Sequence, residues 1–169
     1  MVWIRYIEKT NEYIGKISSW SVFILTLVVG YDVVMRYFFS APTEWAYDIS
    51  YMLYSFYFLM GAGYTQLAKG HVRVDLFLMR YSAKKRAIWD ICFSLFIIFP
   101  FLAIVFYFSI DFALQSWKLG ETSSLSVLQP PVYPLKTVLP VAFFLLILQF
   151  LADFIGNLRT VIIGGGHES

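Results

Sequence analysis

Thirteen Lys and Arg and eleven Asp and Glu are scattered through a mostly apolar chain. An ionisable group in or beside an apolar run is expensive and needs a physical reason. Asp32 and Arg36 are four apart, with the acid nearer the N-terminus, the spacing of a charge-assisted pair on one helix face. Glu44 and Asp48 follow within one turn of each other beyond a short break. One cation and three acids thus converge at one end of two apolar segments. Such a cluster suits three kinds of chemistry: a brace between helices, a docking surface for another protein, or a proton or cation path. A path would need a relay across the bilayer, and a cluster near one surface offers none. The brace is the preferred reading.

The other reactive side chains point away from catalysis. His71 and His167 are the only histidines, and both fall outside the apolar runs. Haem ligation in a helical bundle needs ligands projecting into its core, so a bundle cytochrome does not fit. The single cysteine, Cys92, excludes an intramolecular disulfide and a two-cysteine redox or metal site. No Walker, GxSxG or HExxH pattern occurs. The chain therefore reads as a non-enzyme, without catalytic, cofactor or metal residues of its own. Asp90, Asp111 and Asp153 lie near the ends of apolar runs and are expected at the membrane–water interface.

The elements that position these groups follow from composition. The chain of 169 residues is 59% hydrophobic and 14% charged, with mean hydropathy +0.68. Soluble proteins carry about 25% charged residues. Apolar runs at about 17–39, 46–68, 88–114 and 135–157 each approach or exceed the ~20 residues a helix needs to cross a bilayer. The expectation is an all-α membrane protein with a four-helix transmembrane domain over 17–160. Residues 1–16 read as an amphipathic interfacial helix before a turn into the first span, from Trp3, Ile7 and Ile14 at helical spacing. A plain extension of the first span is the alternative. Pro100 should kink the third span, and 161–169 form a flexible tail.

Charge asymmetry sets the direction. Between Lys69 and Arg86 the loop gathers Lys69, Arg73, Arg80, Lys84, Lys85 and Arg86, and Arg5, Lys9, Lys16 and Arg159 fall on the same side. Only Arg36, Lys118 and Lys136 fall on the other. Both termini are therefore expected in the cytoplasm. Lys84, Lys85 and Arg86 are candidates for contact with anionic lipid headgroups.

Motif order narrows the field. Arg36-Tyr37-Phe38-Phe39 closes the first span, and Pro42, Trp45 and Asp48 open the second. Gly61-Ala62-Gly63-Tyr64 precedes Lys69-Gly70-His71-Val72-Arg73-Val74-Asp75, and Gly120-Glu121 precedes a proline-rich lead into the last span. Over about residues 15–160 this resembles the small membrane subunit, DctQ type, of tripartite ATP-independent periplasmic (TRAP) transporters. That family often has two adjacent acids after the tryptophan, whereas here only Asp48 matches and Glu44 precedes Trp45.

The resemblance implies a multi-pass protein of the bacterial inner membrane. Its partners would be a large membrane subunit of about twelve spans and a periplasmic substrate-binding protein, with membrane lipids and no nucleic acid. The small subunit would be a static scaffold bracing an elevator-type large subunit. Na⁺ would bind in that large subunit, and the imported solute would be an organic anion, a carboxylate or sulfonate. Asp32, Arg36, Glu44, Trp45, Asp48, Gly70, His71, Arg73 and Asp75 are then structural or interface candidates. The competing reading is a small autonomous four-span transporter, which should show a midplane acid or a polar stripe in two or more spans.

Overall fold

A computed structural model of the chain describes residues 2–68, 82–124 and 128–163. Helix dominates: α1 (Val2–Phe38), α2 (Glu44–Leu67), α3 (Ala83–Phe93), α4 (Phe99–Leu119) and α5 (Tyr133–Ile163). A π-helical turn, Ser94–Ile98, joins α3 to α4 in one rod. It ends two residues before Pro100, which has no N–H to donate to the preceding turn. Widening that turn is a local solution to the lost bond. Among the described residues the β-pairing is an isolated bridge between Thr122 and Pro131.

Among the described residues, three helices are long and apolar enough to cross a membrane: Trp3–Phe38, Lys84–Leu119 and Tyr133–Ile162. Helix α2 has 24 residues, roughly 36 Å at 1.5 Å per residue, but is less apolar. It spends five positions on Tyr47, Tyr51, Tyr54, Tyr57 and Tyr64, and adds Glu44, Asp48 and Gln66. The N-terminal segment departs from expectation. Helix α1 runs unbroken through position 16, so no turn separates residues 2–16 from the first span. Gly15 is the natural breaking point, but its bare backbone packs against Tyr64 of α2. The helix is held there by tertiary contact.

Helix α5 touches each of the other helices, and α1 and α2 make the most extensive pair. The interior is built mainly of small or polar side chains, Ala46, Ala87, Ala113, Ala142 and Ala152 beside Asn11, Ser18, Gln66 and Gln149, with Leu102 and Leu145 the larger apolar groups among the described buried residues. Large apolar groups face outward, among them Trp20, Phe23, Phe96 and Tyr107. Between helices in lipid there is no hydrophobic drive to bury Leu or Phe, so close backbone approach and interhelical hydrogen bonds hold the bundle instead. That inside-out distribution is a membrane protein's.

Candidate functional site

Two polar clasps tie the helices, one at each end of the α1–α2 pair. The first begins where α1 stops. Ser40 adopts a left-handed φ of 50°, and the N–H groups of Phe39 and Ala41 both donate to the Met35 carbonyl. The chain reverses, and Thr43 becomes the N-cap of α2 without bonding into its own helix. Asp32, eleven residues back on α1, supplies the polar contact. Its Oδ1 accepts from the Thr43 N–H at 3.0 Å and from the Thr43 hydroxyl at 2.5 Å. Its Oδ2 accepts from the Arg36 guanidinium at 2.7 Å. Tyr31 and Trp45 stack across the same junction with centroids 5.7 Å apart.

The charged cluster is therefore partly as expected. Asp32 and Arg36 pair, and Trp45 lies at the junction. Asp48 is buried and partnered, while Glu44 is exposed in the first turn of α2. The bond across helices is made by Asp32, not Arg36, because Arg36 reaches back along its own helix. Arg36 remains more than half exposed, with 56% of its side-chain surface accessible.

The second clasp lies at the opposite end. Asn11 of α1 donates its amide Nδ2 to Gln149 Oε1 of α5 at 2.9 Å. Gln149 Nε2 makes a long contact with Asp153 Oδ1 at 3.4 Å. Gln66 of α2 donates to Asp153 Oδ2 at 2.7 Å. One chain of hydrogen bonds thus links three helices through one carboxylate. Asn11, Gln66 and Gln149 are at most 3% exposed. An amide taken out of water without a partner costs on the order of 1–3 kcal/mol, so the three amides favour the geometry in which each is bonded. Gly63 makes room for the clasp: a Cβ there would overlap the Asn11 carboxamide. Asn11, Gln66 and Gln149 are absent from the sequence-based candidates, and Asp153 was assigned to the membrane interface. The available signal was three amides embedded in apolar helices.

A smaller cross-link joins α4 to α5. Gly120 caps α4 at a φ of 58°, and Glu121 accepts from the Lys136 ammonium, which also sits 4.0 Å from the Phe112 ring centroid. That ammonium holds the Glu121 carboxyl below its ordinary range. Trp117 donates to the Thr137 hydroxyl at 2.8 Å and packs on Tyr133 with centroids 4.4 Å apart. The turn-rich stretch after Gly120 is tied to the start of α5.

Gly70, His71, Arg73 and Asp75 lie outside the described residues. Lys84, Lys85 and Arg86 stand exposed on the first turn of α3, and Lys85 and Arg86 are each engaged with a partner. Among the described residues no group of three His, Cys, Asp or Glu side chains is arranged to hold a metal ion. The arrangement fastens helices to one another.

Comparison with curated proteins gave no match, and comparison with solved structures gave none. The family model described as tripartite ATP-independent periplasmic transporters, DctQ component, matches residues 25–160. That range holds the charged clasp entire and three of the four members of the amide clasp. The chain belongs to the DctQ family, the small membrane component of TRAP transporters.

Proposed function

We propose that the chain is the rigid scaffold subunit of a sodium-driven, binding-protein-dependent importer of an organic anion in the bacterial inner membrane. All four rods cross the bilayer, α2 included, with both termini in the cytoplasm. The charged clasp then lies on the periplasmic side and the amide clasp on the cytoplasmic side. The family implies a large membrane subunit and a binding protein as partners. The large subunit, of about twelve spans, would carry the solute and Na⁺ sites and make the elevator motion. The binding protein would deliver a carboxylate or sulfonate.

One observation carries the scaffold role: α1 and α2 are pinned at both ends, by Asp32–Thr43 at one and by the Asn11–Gln149–Asp153–Gln66 chain at the other. A moving transport domain needs a counterpart that does not deform. Two helices fixed at both ends and anchored on α5 meet that requirement. The charge asymmetry of the loops supports the orientation. Five tyrosines on α2 lower its hydropathy without adding charge, so its 24 residues still suit a span.

Reconstitution tests the reading. In proteoliposomes under a sodium gradient, the chain with its large subunit and binding protein should take up solute. The chain alone should take up none, and uptake by the chain alone would overturn the scaffold role.

A further inference from the structure

One acid of this chain faces outward from a rod long and apolar enough to cross a membrane. Asp111 lies on the exposed side of α4, opposite the buried Leu102, Ser109, Ala113 and Ser116. Trp89 and Trp117 are both exposed and 28 positions apart along the rod, roughly 42 Å, the thickness of a bilayer with its headgroups. With these indoles at the two headgroup levels, Asp111 sits six positions inside Trp117, roughly 9 Å deep and just within the hydrocarbon. A carboxylate so near the edge of the hydrocarbon costs less than the ~2.5–3.5 kcal/mol it would at the centre, but a hydrogen-bond donor still suits it better than lipid. Gln115, one turn on, donates to Asp111 Oδ2 at 2.7 Å.

The surroundings are those of a helix-packing face. Phe101, Ile104 and Phe108 continue the line of Asp111 and Gln115 toward the other end of the rod, at helical spacing, and are 58–63% exposed. A shallow furrow between α4 and α5, about 490 Å³ in volume, runs beside them and takes in Ile104, Phe108, Asp111 and Gln115. A greasy stripe with a hydrogen-bonded acid at one end is built for a partner offering small residues along its length and a donor opposite the acid.

We infer that the Phe101–Gln115 face of α4 docks a transmembrane helix of the large subunit, with Asp111 accepting a hydrogen bond from a donor on that helix. The inference rests on the scaffold reading above and names the surface that reading requires. A second copy of this chain fits poorly. Two copies inserted in the same direction about an axis along the membrane normal would bring Asp111 to Asp111 at equal depth, two like charges in a low dielectric. Charge complementarity instead asks for a donor, and a different chain supplies one without duplicating the acid.

The test uses the co-expressed transporter, purified through a tag on the small subunit. A benzophenone photoprobe in place of Phe108 should give an adduct of small plus large subunit. Asp111→Leu should lower the recovery of large subunit about tenfold, because a donor on the partner loses its acceptor. Asp111→Asn, which keeps an acceptor, should retain most of it. An acid facing lipid gives the opposite sign, since leucine would relieve its cost. Unchanged or raised recovery in Asp111→Leu therefore overturns the inference, as does a Phe108 adduct only with lipid or with a second copy. If the wild-type chain retains its large subunit and only the Phe108 adduct is missing, the scaffold reading stands and this surface falls. If the wild-type chain brings down no large subunit, both fall.

Discussion

The two clasps join the same pair of helices by different physics. At the Asp32 end a carboxylate accepts from a backbone N–H, a hydroxyl and a half-exposed guanidinium. At the Asn11 end three nearly inaccessible amides and one carboxylate share bonds across three helices. The first holds a turn in place, where water and headgroups can substitute for a lost bond. The second lies where its three amides are almost closed to water. Formal charge is therefore a poor guide to which end matters more for stability: the end built on three buried amides around one carboxylate carries the larger penalty for a missing partner.

The largest effect should come from filling the space the amide clasp needs. Gly63→Leu puts a branched side chain where even a Cβ would overlap the Asn11 amide. It should destabilise the purified chain by about 3 kcal/mol, the upper end for overpacking. Thermal unfolding in detergent measures it, and a midpoint equal to wild type would remove the close approach from the account. Gln149→Leu comes next. It leaves the Asn11 amide without its acceptor and should cost about 2 kcal/mol, with Asn11→Leu added on top costing little more. Strict additivity of the two would show that the residues do not act as one network.

The charged clasp should yield less. Asp32→Ala removes the acceptor for the Thr43 N–H at the start of α2 and should cost about 1 kcal/mol, as for a lost helix cap. Arg36→Ala should cost under about 0.5 kcal/mol, because an exposed i, i+4 pair is worth little and is screened by salt. If Arg36→Ala exceeded Gln149→Leu, the contrast between the clasps would be reversed.

The smallest effect is a pH dependence at the α4–α5 link. Lys136 holds the Glu121 carboxyl below its ordinary 4.5, so folding is favoured by the ionised form. That contribution is complete above the unfolded value and disappears as pH falls through the lower folded one. Trp117 packs on Tyr133, just beyond this turn. Its fluorescence should report an unfolding midpoint that falls as pH drops below 4.5, and Glu121→Gln should flatten that slope. A slope unchanged in Glu121→Gln would assign it to other carboxyls.

Particular residues show where sequence reading succeeded and where it stopped. The Asp32–Arg36 pair was legible because four positions along a helix is a local relation. Helix ends near Phe38, Glu44 and Tyr133 were legible to within a few residues, because polar and proline-rich stretches flank them. The break expected at position 16 was not found. Nothing local at Gly15 announces that Tyr64, almost fifty residues away, packs on it. The amide clasp was invisible for the same reason: Asn11 and Gln149 are 138 positions apart. A lone amide in an apolar run carries no mark of its partner.

The sequence alone determined that the chain is helical and apolar and which acid can pair with which base within a turn. Through its ordered motifs it also pointed to the family. These are properties of composition and of short-range spacing, fixed before any helix meets another. The tertiary structure decided that α1 is one unbroken rod, that three buried amides gathered around the Asp153 carboxylate bind three helices together, and that Asp111 is turned away from its own bundle. Those outcomes depend on which faces of distant helices come within about 3 Å of each other, the reach of a hydrogen bond.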